Sequence, residues 1–267
     1  MKTLHLSTLF IAILVAAVSI MGILLQDSIY PTGEVLNSFL PNDYVNLLAG
    51  LPFLVISLWL SRKGKLMGML CLPGALFYMV YVYFPYLICV PFNFLFLPYL
   101  VIFALSIYTL IGVVSAMDPG TIRLRFTGNL PERTFGGILI GLAAIIVIRQ
   151  VVLIMGALVR ETPVDQMEVA LWITDFSVGA PAMLLAGILL WKKRSLGYVA
   201  APGLFMAYGI LSLGLIPFMM VQSNLGGAEV RVADVVVLIL MATFCFIPFA
   251  FFVRASVKTE GVEETGR

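Results

Sequence analysis

Apolar positions in this chain come in long unbroken runs, and polar positions are gathered into short stretches between them. Runs at about 6–25, 44–60, 66–88, 93–115, 135–159, 172–191, 196–220 and 232–253 each approach or exceed the length, about 20 residues, that a helix needs to cross a bilayer. Inside lipid every backbone N–H and C=O must be satisfied within the segment, so a long run without alternation predicts a helix rather than a strand. The pattern predicts an all-α membrane protein with eight transmembrane helices.

The pattern is also written twice. PFLVISLWLSRKGKLMGMLCLPG (52–74) aligns without a gap on PAMLLAGILLWKKRSLGYVAAPG (181–203). Pro52/Pro181, Leu60/Leu189, Lys63/Lys192, Gly68/Gly197, Pro73/Pro202 and Gly74/Gly203 coincide. To the left, IMGILLQDSIYPTGEV (20–35) matches IMGALVRETPVDQMEV (154–169), and a shorter loop in the second half then sets Asp43 opposite Asp175. These matches predict two parallel four-helix repeats, 1–115 and 135–253, joined by a cytoplasmic linker at 116–134 and followed by a cytoplasmic tail at 254–267. An even number of spans per copy gives both copies one orientation. The fourth and eighth spans carry no clear match.

Charge supplies the orientation. Only 11% of residues are charged against 61% hydrophobic, and the net charge of +2 matters less than its placement. With the N-terminus inside, the inner segments hold Lys2, Arg62, Lys63, Lys65, Arg123, Arg125, Arg133, Lys192, Lys193, Arg194, Arg254, Lys258 and Arg267. Such an excess of cations over short loops predicts that both termini are cytoplasmic, in a cell (cytoplasmic) membrane. The outer side collects Asp27, Glu34, Asp43, Glu161, Asp165, Glu168, Asp175, Glu229 and Asp234. Its two longest loops carry brief apolar patches that predict short interfacial helices. Lys2, the first apolar run and Ala17-Val18-Ser19 also resemble a signal peptide, but the run continues to Leu25, which favours a retained span.

The candidate chemistry is sparse. Basic residues sit in turns rather than along one face, so nucleic acid is not an expected partner. His5 is the single histidine, and Cys71, Cys89 and Cys245 are scattered. No metal or cofactor is implied, and no P-loop, G-x-S-x-G or H-E-x-x-H motif points to an enzyme. Arg149 lies inside the fifth span and Gln150 follows it. An intramembrane arginine costs about 2.5 kcal/mol or more and needs a partner, with Asp175, Asp43, Glu168 and Asn93 as candidates. The readings are a ligand site, a structural pair locking the halves together, or an arginine that snorkels outward. Asp43 and Asp175 could bind a cation or proton, or cap the helices they begin. Tyr78, Tyr81, Tyr83, Tyr86, Phe92, Phe94, Phe96 and Tyr99 surround Asn93, as a pocket lining or an interfacial belt would. The basic turns Arg62-Lys63-Gly64-Lys65 and Lys192-Lys193-Arg194 serve topology or hold an anionic headgroup. Gly137/Gly141 and Ala182/Ala186 have the small-residue spacing of close helix packing.

The segments GLPFLVISLWLSRKGKLMG, LPGALFYMVYVYF, FNFLFLPYLVIFALSIYTLIG and WITDFSVGAPAMLLAGILLWKKRSLGYVAAPG resemble a family of bacterial and archaeal multi-pass integral membrane proteins with no assigned activity. The likeness spans most of the chain. It implies eight spans and brings no catalytic residue. The expected function is binding or transport of a small solute through an outward-facing polar cluster of Arg149, Gln150, Asn93, Asp43 and Asp175. The alternative is an accessory or sensor subunit packed against another membrane protein. The bilayer itself is a partner under either reading.

Overall fold

The computed structural model describes residues 1–226 and 229–265, with side chains through Val257. Eight helices are long and apolar enough to cross a membrane, at Lys2–Leu24, Gly33–Arg62, Leu66–Cys89, Phe96–Ser115, Glu132–Arg160, Gln166–Trp191, Ser195–Asn224 and Val232–Val257. In chain order the elements are α1 (Lys2–Leu24), α2 (Gln26–Ile29), α3 (Gly33–Val45), α4 (Leu51–Arg62), α5 (Leu66–Cys89), α6 (Phe96–Ser115), α7 (Pro119–Phe126), α8 (Glu132–Arg160), α9 (Gln166–Thr174), α10 (Ala180–Trp191), α11 (Ser195–Asn224) and α12 (Val232–Thr265). Among the described residues there is no strand.

Two of the expected interfacial helices are not separate. α3 runs into α4, and α9 into α10, each through a single π turn, at Asn46–Gly50 and Asp175–Gly179. Thr32 starts the first of these long helices by accepting a hydrogen bond from the Val35 N–H at 3.3 Å. Asp165 starts the second by accepting from the Met167 N–H at 3.1 Å. The capping role considered for Asp43 and Asp175 therefore belongs to residues a few turns upstream.

The cause of the π turns lies in the next residues. Pro52 and Pro181 have no N–H, and a proline ring collides with the carbonyl four residues back. The turn before each proline widens instead. The Leu51 N–H reaches five residues back to the Asn46 carbonyl, and the Ala180 N–H to that of Asp175. A turn of this kind often re-aims side chains at a functional position.

The two basic hairpins close alike. Lys63, Gly64 and Lys65 donate to the carbonyls of Trp59, Ser61 and Leu60, and Lys192, Lys193 and Arg194 donate to those of Ile188, Leu190 and Leu189. Gly64 has φ 71° and Lys193 φ 53°, the left-handed conformation that ends many helices. Beyond each turn a glycine lets the returning helix touch its partner's backbone. A Cβ on Gly68 would strike Leu60 and Ser61, and one on Gly197 would strike Leu189 and Leu190.

At the centre α5 crosses α11, glycine on glycine. A Cβ on Gly203 would stand 2.8 Å from the Gly74 nitrogen, and one on Gly74 would collide with the Gly203 carbonyl. α3 packs on α11, and α9 on α5, around this crossing. Of the small pairs expected to mediate packing, Gly137 lies under the Trp191 ring and Ala186 is buried, but Gly141 has no neighbour within 4 Å. The close approach is made by Gly136 against the Gly187 carbonyl.

The 116–134 linker folds into α7 rather than a plain loop. Asp118 accepts from the Gly120 N–H at 3.0 Å and from the Thr121 hydroxyl at 2.5 Å. These bonds, the hydroxyl's first, hold its carboxyl below the usual range. Phe126 stacks on Tyr198 and meets Phe252 edge-on, so α7 packs against α11 and α12. The helix of α12 continues through the segment read as a tail as far as Thr265, and residues 266–267 lie outside the described chain.

Candidate functional site

Two carboxylates lie buried among the spans, and each is held by tyrosine. Asp43, near the end of α3, is wholly buried. The Tyr30 hydroxyl donates to Oδ2 at 2.6 Å and the Tyr86 hydroxyl to Oδ1 at 3.0 Å. Tyr30 lies in the loop between spans, where burial and then the Asp43 charge push its hydroxyl above the ordinary tyrosine range. It therefore stays a donor. α1 comes close because Gly22 has no side chain; a Cβ there would collide with Asp43 and stand 2.8 Å from the Tyr30 hydroxyl. Phe39 stacks on Tyr30 and meets Tyr86 edge-on, which packs an apolar ring against both hydroxyl-bearing rings.

Asp175 opens the second π turn and is 6% exposed. The Tyr81 hydroxyl donates to its Oδ1 at 2.7 Å, and the Gln150 amide donates to its Oδ2. Tyr81 belongs to α5 and Gln150 to α8, so this site joins the first four spans to the last four. Tyr208 completes the wall. Its ring meets Tyr81 edge-on at 6.3 Å, and its hydroxyl lies 2.9 Å from where a Gly179 Cβ would be.

Further buried polar groups stand around both carboxylates. Ser19, Tyr83 and Tyr99 lie close to Asp43. Beside Asp175, Gln150 Oε1 and Tyr208 OH have no hydrogen-bond partner among the described residues. Each of these two forgoes hydrogen bonds it had in water, at a cost of about 1–3 kcal/mol.

The residues singled out from the sequence separate. Gln150, Asp43 and Asp175 are buried in these clusters. Asp43 and Asp175 are not counterparts, however. The π turns align Asn46 with Asp175, and Asn46 accepts from the Tyr78 hydroxyl at 3.5 Å. Arg149 is exposed on α8 and forms no hydrogen bond or ion pair among the described residues. Asn93 bonds only within its own turn, donating to the Pro91 carbonyl at 2.9 Å and accepting from the Leu95 N–H at 2.8 Å. It starts α6 and reaches neither cluster.

The aromatic residues of α5 and α6 divide likewise. Phe92 and Phe94 are exposed, as a belt requires, whereas Tyr78, Tyr83, Tyr86 and Tyr99 are at most 1% exposed. Tyr30, Ser19 and Tyr208 were not legible as site residues. Their one signal is chemical, a hydroxyl within or beside an apolar run. Among the described residues no three His, Cys, Asp or Glu side chains gather as metal ligands would. An apolar groove of about 480 Å³ lies outside the second cluster, lined by Ile154, Val169, Trp172, Ile173, Phe176 and Ser177. At the basic hairpins Glu132 accepts from the Tyr198 hydroxyl at 2.9 Å and pairs with Lys193 at 3.4 Å, while Lys63 lies 3.6 Å from the Trp59 ring centroid.

The chain matches no family model, no curated protein and no solved structure.

Proposed function

We propose that this polytopic membrane protein binds or transports a small solute at the outer polar cluster of Asp175, Gln150, Tyr81 and Tyr208, with Arg149 beside it. The observation that carries the reading is the pair of unpartnered buried atoms, Gln150 Oε1 and Tyr208 OH, next to a carboxylate that bridges the two halves. A solute with both a donor and an acceptor would satisfy them. Asp43, held by Tyr30 and Tyr86, is a second buried polar point, in the first half.

The architecture in this reading is two parallel four-helix repeats, 1–115 and 135–253, with both termini in the cytoplasm of a cell bounded by this membrane. Its support is a single offset shared by the π turns, by the left-handed residues Gly64 and Lys193, and by the crossing glycines Gly74 and Gly203. The reciprocal packing of α3 on α11 and of α9 on α5 supports it too. The orientation rests on the cations of the inner loops.

Native mass spectrometry of the protein extracted from its own membrane tests the function. A non-protein ligand that stays bound in the natural chain and is lost in Asp175→Asn is the expected result. A stoichiometric protein partner with no ligand would overturn it in favour of an accessory or sensor subunit. That second reading is supported by the tight packing around Asp43, where even a Cβ on Gly22 has no room.

A further inference from the structure

We propose that the ligand is an anionic amphiphile, a phospholipid with a net negative headgroup, which enters sideways from the outer leaflet between α8 and α12 and sets that headgroup on Arg149. This deepens the solute-binding reading, names its ligand class and rests on the same cluster.

The first and last four spans differ in one respect. α1 and α6 pack against each other, and each buries residues along its whole length, from Thr8 to Gly22 and from Tyr99 to Val113. α8 and α12 occupy the same places in the order of the second four. Their ring contacts are at the inner end, where Phe135 meets Phe251 at 5.5 Å and Phe252 at 6.2 Å. Above that the two helices expose themselves. No residue of 151–160 is buried, and none of 232–241.

The opening can be followed along one stripe of each helix. Phe135, Leu142 and Arg149 recur every seven residues, so they share a face to within about 40°. The first two are buried and Arg149 is exposed. On α12, Phe252 and Cys245 are buried and Leu238, the next of that stripe, is half-buried. Both faces thus leave the core at one height, and Arg149 stands in the resulting mouth. From Phe135 it is about 21 Å along the helix, within hydrocarbon depth.

The occupant follows from charge and polarity. A guanidinium in hydrocarbon needs an anion, and Asp175, the carboxylate bonded by its neighbour Gln150, is already engaged by Tyr81 and Gln150. Around Arg149 the wall is aliphatic, with Ile145 57% and Val152 64% exposed. One cation set in an apolar wall matches one anionic head with apolar tails. Tyr208 OH, buried and without a partner beside Asp175, adds a hydroxyl donor for the head's oxygens. A phosphate fits a guanidinium bidentately, which a zwitterionic lipid screens with its own cation.

The test is native mass spectrometry of purified protein in micelles titrated with phosphatidylglycerol or phosphatidylcholine. The natural chain should retain phosphatidylglycerol over phosphatidylcholine. Arg149→Gln should lower that retention at least about tenfold, and Arg149→Lys should restore part of it. Arg149 forms no hydrogen bond or ion pair among the described residues, so an unchanged unfolding temperature in lipid-free micelles is expected in both variants. Equal retention in Arg149→Gln, or equal binding of the two lipids, overturns the inference. A dimer lost in Arg149→Gln without any lipid effect overturns it too, in favour of a second copy in the mouth. If a ligand from the native membrane still depends on Asp175 while phosphatidylglycerol ignores Arg149, the amphiphile fails and the solute reading stands. If neither dependence exists, both fail.

Discussion

At the residue scale the tyrosine–carboxylate bonds can be told from the tyrosine hydroxyls that merely stand near them. Tyr30 and Tyr86 each donate to Asp43. Removing either hydroxyl leaves a buried carboxylate oxygen short of a partner, and hydrogen bonds to charged groups contribute about 1.5–3 kcal/mol. Tyr30→Phe and Tyr86→Phe should each lower stability by about that amount in thermal unfolding of the solubilised protein. Tyr83→Phe makes the control. Its hydroxyl makes no hydrogen bond to the carboxylate, so the change should cost clearly less than either of the others. Equal losses in all three would mean that ring packing rather than hydrogen bonding holds the cluster. Little of this was readable beforehand. A carboxylate near the end of a polar loop reads as a cap, and only the continuation of α3 into α4 shows that Asp43 is inside. Gln150 and Arg149 are neighbours in sequence, yet the helix turns one inward and the other out.

At the element scale the two π turns and their glycines make the sharpest predictions. A Cβ on Gly50 would stand 2.6 Å from the Tyr78 ring, so the ring or the helix must shift. Overpacking of this kind costs about 1–3 kcal/mol, and Gly50→Ala should lose that much in chemical or thermal unfolding. Gly141→Ala should do the reverse. Nothing lies within 4 Å of its Cβ, and alanine in a helix interior is favoured over glycine by about 0.5–1 kcal/mol. The small-residue spacing Gly137/Gly141 had marked both for close packing, but spacing reports only the face. Which residue touches depends on the rotation of α8, and that rotation puts Gly136 against α10. The π turns were invisible for a similar reason. A proline inside an apolar run signals a kink, not whether the chain bends, breaks or widens to absorb it. The spans themselves were legible, since their length and polarity answer to the bilayer rather than to neighbouring helices.

At the scale of the whole molecule one crossing decides how the two halves meet. Gly74 and Gly203 let α5 and α11 touch backbone to backbone, and α5 is buried on nearly every side there. Alanine at either position puts a methyl group where the other helix already stands. Because both glycines occupy the same point of the sequence match, Gly74→Ala and Gly203→Ala should do similar damage if the halves are related by a pseudo-twofold axis. Each alone should cost about 1–3 kcal/mol or more. The double variant should cost less than the sum, since one separation of α5 from α11 accommodates both methyl groups. Additive losses would mean that each glycine is relieved by a separate, local shift, and the crossing would not act as one hinge. The coincidence of these glycines was plain in the sequence, but their contact was not. A repeat says that two segments are alike, and only packing says that they face each other. The polar clusters inherit that dependence, because Tyr81 reaches Asp175 only where α5 lies against the second half. A crossing forced apart by Gly203→Ala should therefore also loosen any ligand held through Asp175, measurable as reduced retention beside the unchanged tyrosines.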